Sequence, residues 1–299
     1  MIGDFLHAAI LMTTPILLAA IGGLVNRIGG IVNIGLDAMM LTGALIAVIV
    51  SVHTGSAGLA ALAALVAGAA VGLLMSLVIT RLKANEIIVG LGFVVGAAGL
   101  VRFLLKSVYG VSGTYSPPGV VMLPSIVIPG LDRVPILGAL VSGLDPLTWA
   151  AWAFVPITAF VLHRTRFGLR LRATGAAEAT VRAVGLHPLT IRDASTMFAG
   201  ALAGLAGAQL SIGVVGLFSE GITGGRGFIA LAAFYFGRTS PWRTAVGALL
   251  FGFFDAAQIR LQGHGVPAEL VQSLPYAIVI VVLTALGLAD RRRERARVV

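Results

Sequence analysis

The sequence predicts an all-α, polytopic transmembrane helical bundle of about nine membrane segments in two inverted repeats with broken or short members. Three observations carry that expectation. Of 299 residues, 58% are hydrophobic and only 11% charged, against roughly 25% charged in a soluble domain. The apolar stretches run for about twenty residues, the length of a helix across hydrocarbon, and lack the ten-residue alternation of a membrane strand. Backbone amides in hydrocarbon must also be paired within their own element, which favours helices. Finally, Lys and Arg gather at alternate ends of these stretches, as they do on the inner loops of membrane proteins.

Taken in order, residues 5–24 form the first span. Its amino flank, MIGD, carries no Lys or Arg, whereas Arg27 follows it, so the amino end is expected outside and Arg27 inside. The same flank lacks the basic leader of a cleaved signal peptide, so the span is expected to be retained. Residues 31–50 return outward, 58–80 come inward to Arg81 and Lys83, and 86–105 go out again. Residues 106–146 are rich in Gly and Pro, and Pro117, Pro118, Pro124, Pro129 and Pro135 break any long helix. They are expected to fold as an outer cap of short helices or re-entrant turns. Residues 147–162 descend to a basic inner loop at 163–192, 194–216 rise, and 227–237 descend as an unusually short segment. Residues 241–261 rise again and 268–289 descend to a basic tail at 290–299, which puts the carboxyl end on the cytoplasmic side.

Sorted this way, the 21 Lys and Arg residues collect on the inner side, with only Arg102, Lys106, Arg133, Arg226 and Arg260 elsewhere. The net charge of +9 is therefore topology charge. It points to a lipid bilayer as the partner, and no nucleic acid is expected. Cysteine is absent, which removes disulfides and thiolate metal sites from consideration.

A second pass finds internal similarity. LAAIGGLVNRIGGIVNIGLDAMMLTGA at 18–44 parallels LAGLAGAQLSIGVVGLFSEGITGGRGFIALAA at 202–233, and AGAAVGLLMSLVITRL at 67–82 parallels VGALLFGFFDAAQIRL at 246–261. Gly68 then matches Gly247, and Arg81 matches Arg260. An odd number of segments separates the copies, so a first repeat at 18–105 and a second at 194–289 would lie in opposite orientations, as in many transporters. GAAVG at 68–72 and GALAG at 200–204 have the small-xxx-small spacing that lets membrane helices approach closely, and are read as packing surfaces.

Ionisable groups within the spans are costly, on the order of 2.5–3.5 kcal/mol at the membrane centre. The candidates are Asp37, Glu86, Arg226 and Asp255, with Asn33 and Asn85 as polar neighbours. Asp37 is placed to cap the Gly-rich turn at 29–35, Glu86 to sit at a helix start where a carboxylate favours the dipole, and Arg226 to pair with Glu220 or Asp255. In the inner loop, residues 176–184 read as a short helix with Gly175 as N-cap, Gly185 as stop and Pro188 barring continuation. Glu178 and Arg182 stand at i and i+4 with the acid first, and Ala177, Thr180, Val181 and Val184 share one face. That spacing fits a docking element and a solvated loop equally well. No GxxxxGK[ST], no HExxH and no clustered histidines occur, so no catalytic or metal centre and no cofactor is expected, and ATP hydrolysis is not expected of this chain.

Several segments together resemble the permease subunits of bacterial ABC importers for branched-chain amino acids, simple sugars and nucleosides. They are GGLVNRIGGIVNIGLDAMMLTGA, ANEIIVGLG, FGLRLRATGAAEATVRAVGL, GALAGLAGA and GGRGFIALAAFYFG, in order over nearly the whole chain. The NIGLDAMML and NEI patterns are most similar to the nucleoside and simple-sugar branch. The resemblance implies a permease in the bacterial cytoplasmic membrane, a second permease subunit that is identical or homologous, a cytoplasmic ABC ATPase and an extracytoplasmic substrate-binding protein. It also implies that the coupling element comprises Ala176, Ala177, Glu178, Thr180, Val181, Arg182, Val184 and Gly185. Pathway walls are expected at 31–45, 86–99 and 225–234, with Asn33, Asp37, Met40, Asn85, Glu86, Phe93, Arg226 and Phe228 as candidate lining residues. ATGAAEA at 173–179 departs from the bulkier stretch usual in the family, and Asp37 replaces its usual Glu with a shorter reach. An ion-coupled secondary transporter acting through Asp37, Glu86 or Asp255, and a branched-chain amino acid permease, are the alternative readings.

Overall fold

The computed structural model describes residues 2–127 and 142–261, with residue 284 in isolation. Helix α1 (Ile2–Ile28) carries Pro15 inside it and leads through a turn at 29–35 into α2 (Leu36–Thr54), which closes on Gly55 in the left-handed conformation. Ser56 caps α3 (Ala57–Arg81), its side chain accepting from Leu59 N. Asn85 caps α4 (Glu86–Tyr109), its Oδ1 accepting from Ile87 N at 2.9 Å and Ile88 N at 3.3 Å. Asp145 caps α5 (Pro146–Arg164), with Pro146 at the first helical position where its missing N–H costs nothing. Thr165 caps α6 (Arg166–Ala176), and α7 (Glu178–Ala183) follows after one residue. Then come α8 (Pro188–Ala208), running on as a π-helical turn at Gln209–Val215, α9 (Arg226–Gly237) and α10 (Pro241–Leu261).

Among the described residues six helices are long and apolar enough to cross a membrane: α1 to α5, and α8 with its π-helical extension. Helix α9 is apolar but shorter. It and α10 lie where the seventh and eighth segments are expected, and the segment at 268–289 lies outside the described residues.

Helix α8 is the centre, packing along α1, α2 and α3, while α10 packs along α1 and α9. The contacts are made by small residues. Gly68 and Gly72 of α3 meet Gly200, Gly204 and Thr196 of α8 backbone to backbone, and a Cβ on Gly68, Gly200 or Gly204 would overlap a carbonyl oxygen of the facing helix. The two small-xxx-small motifs of the sequence thus pack on one another. Gly207 of α8 lies in the same manner on Met40 and Ala44 of α2, and Gly252 of α10 on Thr13 of α1. Two buried carboxylates in the core are paired. Asp193 of α8 accepts from Ser76 (2.7 Å) and Thr80 (3.2 Å) of α3 and bridges Arg81 at 2.7 Å. Asp145 accepts from Gln209 at 2.7 Å, tying the start of α5 to the π-helical turn.

Three expectations are corrected. Gly175 is not an N-cap: it lies inside α6, its missing Cβ leaving room for the carbonyl of Ile28. The inner helix accordingly breaks at Ala177, and α7 starts at Glu178, whereas Gly185, at φ 77°, ends it as expected. Secondly, beyond the end of α4 at Tyr109 the described residues of the outer loop hold extended chain and turns and none of the expected short helices. Strand β1 (Thr114–Tyr115) pairs antiparallel with β2 (Phe218–Ser219), and Val121 exchanges two 2.8 Å hydrogen bonds with Ser51 Oγ of α2. Residues 128–141 lie outside the described set. Thirdly, Asp37 does not cap the turn before it, because its carboxylate is taken by α9.

Gly200→Ala should destabilise the detergent-solubilised protein by about 1–3 kcal/mol, the range for forcing a methyl into a filled interface. Gly96→Ala, where an added Cβ meets nothing within 4 Å, should leave the melting temperature unchanged. Equal melting temperatures for the two variants would refute the close-approach account.

Candidate functional site

A series of polar contacts runs from the basic end of the bundle, where Arg27, Arg81 and Arg164 lie, to the meeting of α2 with α9. At the basic end α6, α7 and the first turns of α8 project as a helical element, and Glu178 is its hub. One carboxylate oxygen accepts from Arg182 at 2.5 Å, the i,i+4 partner expected from the sequence, and the other from Arg192 at 2.7 Å. Burial works to raise the Glu178 pKa, but the hydrogen bond from Arg182 and the charges of Arg192 and Arg182 hold the carboxyl below its ordinary range. Ala176, Ala177, Thr180, Arg182, Val184 and Gly185 are exposed, Val184 at 69%, whereas Val181 is buried and anchors α7. An open groove of about 370 Å³ runs between α6 and α7 past Leu169, Ala173, Ala177, Thr180 and Val184. It is apolar, with Arg170 at its margin.

Arg192 continues inward. Its Nε donates to the Gly29 carbonyl at 3.2 Å while Nη1 holds Glu178, so one guanidinium joins α7 to the turn at 29–35. Gly175 touches the same turn, lying on Ile28 and Gly30 backbone, and Gly30 adopts φ 89° there. The far side of the turn is held by α4: Glu86 Oε2 accepts from Val32 N at 3.1 Å. Glu86 thus satisfies a donor of the turn, while Asn85 is the cap of their common helix. Asn33 is fully buried, its Nδ2 donating to Met39 Sδ at 3.8 Å and its Oδ1 without a partner among the described residues.

Deeper in the bundle the amino ends of α2 and α9 meet. Asp37 accepts from Gly227 N and from Thr223 Oγ1, both at 3.1 Å, and only a glycine at 227 permits this approach to the Asp37 backbone. The carboxylate therefore sits at the positive end of two helix dipoles. Arg226 pairs with Asp255 of α10, Nε and Nη2 both reaching Oδ2 at 3.0 and 2.7 Å. Glu220, the other partner considered for Arg226, instead accepts from Arg102 at 2.7 Å and Gly113 N at 3.0 Å.

Of the expected lining residues the fold brings Asp37 and Arg226 together at α9, and Asn85 and Glu86 to the turn that contains Asn33. Met40 is enclosed in the core, Phe93 packs partly buried against it, and Phe228 is 38% exposed on α9. Sequence reasoning missed Arg192, Thr223 and the clamp of Asp193 on Ser76 and Thr80. By charge pattern Arg192 counts as topology charge, and the signal that could single it out is the adjacent Asp193, since opposite charges side by side at a helix start face different neighbours.

The chain matches the model of the family described as branched-chain amino acid transport system / permease component over residues 5–283. It is 30% identical over 297 residues to the guanosine ABC transporter permease protein NupQ of Bacillus subtilis, covering 95% of this chain and 92% of that protein. It is also 30% identical to the nucleoside ABC transporter permease protein NupC of Lactococcus lactis, over 92% of this chain and 89% of the relative. The putative glucose ABC transporter permease protein TsgC13 of Haloferax volcanii is likewise 30% identical, over 86% and 77%. No solved structure matches the chain.

Two measurements check this geometry. Arg226→Ala strands a buried Asp255 and should cost roughly 3–5 kcal/mol, whereas Arg226→Leu combined with Asp255→Leu should cost much less. Thermal unfolding in which the double variant is as weak as the single one would contradict the pairing. The clamp on Glu178 has a depressed folded pKa, so its contribution is present above the ordinary carboxylate pKa and lost only as pH falls through the lower folded value. Proteolytic cleavage of the 166–187 element should thus stay flat from neutral pH down to the ordinary carboxylate range. Glu178→Ala should raise cleavage already at neutral pH.

Proposed function

The chain belongs to the family of branched-chain amino acid transport system permease components, and on that premise we propose that it is the membrane-spanning permease subunit of an ATP-driven ABC importer that takes up a nucleoside or a simple sugar. The observation that carries the substrate class is the end-to-end match to nucleoside and guanosine permeases. A glucose permease at the same identity keeps simple sugars beside nucleosides. An ATPase, a second permease subunit and an extracytoplasmic binding protein complete the transporter in this reading, with ATP hydrolysed on the partner. The ion-coupled alternative loses support, because Asp37, Glu86 and Asp255 are each engaged by donors of the protein itself.

The chain is read as nine segments in two inverted repeats, amino end outside and carboxyl end cytoplasmic. The packing supports the repeat: α3 lies along α8 as α10 lies along α1, and α2 meets α8 as α9 meets α1. Gly207 approaches α2 and Gly23 approaches Phe234 of α9 at corresponding places. The charge distribution supports the orientation. The ATPase would seat against the exposed surface of α6 and α7, with Ala176, Ala177, Thr180, Val184 and Gly185 in contact and Glu178 holding the element's shape through Arg182. Closure of the ATPases on ATP would push this element and rock the repeats past each other, exposing a central pathway alternately to the two sides. Asp37, Arg226 and Phe228 on one side and Asn85, Glu86 and Phe93 on the other are its proposed polar and aromatic lining. Asn33 and Met40, enclosed in this conformation, would reach it only after the 29–35 turn moves.

The test is uptake by the complete transporter in proteoliposomes. Glu178→Arg should leave membrane insertion intact and lower ATP-dependent uptake roughly 5–150-fold, the span of a 1–3 kcal/mol coupling energy. Undiminished uptake would remove Glu178 from coupling. Guanosine should compete for uptake where leucine does not, and the reverse order would move the chain to the amino acid branch.

A further inference from the structure

We propose that Arg192 is the positioning residue that carries displacement of α7 into the membrane, by linking Glu178 to the turn at 29–35. The proposal deepens the importer reading and rests on it. Any motion imposed on the exposed helix must reach the bundle through the contacts α7 makes, and its polar contacts beyond Arg182 run through Glu178 to Arg192. Arg192 is only 21% exposed in its side chain, and the same guanidinium donates to the Gly29 carbonyl at 3.2 Å. Its planar fork serves two acceptors at once, which a lysine ammonium on a flexible stem would not hold in fixed geometry.

What Arg192 grips suits transmission. The turn is a short, glycine-rich connection between α1 and α2 with few direct contacts between those two helices. On the opposite side α4 holds it, by the hydrogen bond from Val32 N to Glu86 and by Gly90 lying against Ile34 and Gly35. Two residues past its end, Asp37 holds Gly227 and Thr223 at the start of α9. A shift of Gly29 therefore changes three relationships together: α1 to α2, the turn to α4, and α2 to α9. The next residue along α8, Asp193, faces the other way and clamps Ser76, Thr80 and Arg81 of α3. The start of α8 thereby stays fixed to α3 and acts as the fulcrum against which Arg192 moves the turn. Physical adjacency alone does not establish coupling, so the relay is defined by how its variants combine.

The experiment uses the whole transporter, reconstituted with its ATPase, partner permease and binding protein, with guanosine and glucose as uptake probes and ATP hydrolysis measured in the same vesicles. Arg192→Met should lower uptake roughly 5–150-fold while hydrolysis per complex stays within about twofold, so that the ratio of substrate moved to ATP consumed collapses. Glu86→Ala, which removes the hydrogen bond from the turn to α4 without touching α7, should collapse the same ratio. If both residues act through one turn, the double variant will be no worse than the poorer single variant. Multiplicative losses, uptake and hydrolysis falling in parallel with the melting temperature, or unchanged uptake in Arg192→Met would each overturn the relay. A wild-type transporter that moves neither probe with ATP would instead defeat the importer reading, and the relay with it.

Discussion

The structure depends on the close approach of α3 and α8. Lipid removes the hydrophobic driving force between helices, so association rests on van der Waals contact and on the few polar groups that meet inside. Contact of that kind is strongest where backbones touch. Gly68, Gly72, Gly200 and Gly204 make this possible, and the same device recurs where Gly207 meets α2 and Gly252 meets α1. With α8 seated this deeply, every other described long helix except α4 and the inner part of α5 finds a partner for much of its length. Exposed apolar residues such as Ile88, Val95 and Phe103 on α4 are then the surface the chain leaves to lipid or to another subunit.

Polar chemistry is distributed within that frame and not gathered in a pocket. Each carboxylate discussed has a specific set of donors, and these add directional bonds between elements that also meet through glycine. Asp193 ties α8 to α3, Asp255 ties α10 to α9, Asp37 ties α2 to α9, and Glu86 ties α4 to the turn. Such bonds are directional and can be exchanged for others when helices shift, whereas apolar contacts between small residues tolerate sliding. A transporter that must occupy two arrangements needs both properties.

Local signals were read accurately where the deciding neighbour is close in the chain. The Gly185 stop acts through residues within one turn, and GAAVG and GALAG show by spacing that they are surfaces for close approach. The Arg182 partner of Glu178 is likewise an i,i+4 relation. Gly175 was misread because a glycine before a polar run looks like a cap, and only the carbonyl of Ile28 lying against it explains why a glycine is there. Proline density excludes long helix from the outer loop but does not distinguish short helices from extended chain, and at Thr114 and Tyr115 the extended form is set by pairing with Ser219 and Phe218.

The sequence by itself determined that this is a helical membrane protein, where most of its helices begin and end, and which family it resembles. Hydrophobic length, capping residues and motif order are properties of contiguous residues, and hydrocarbon leaves the backbone little alternative to helix. Only the tertiary structure decided which acid meets which donor. Asp37 takes Gly227 rather than its own turn, Arg226 takes Asp255 rather than Glu220, and Arg192 joins Glu178 to Gly29. Those choices turn on ångström-scale distances between helices far apart in sequence, and they are set by how closely the glycine faces of the bundle allow the backbones to come.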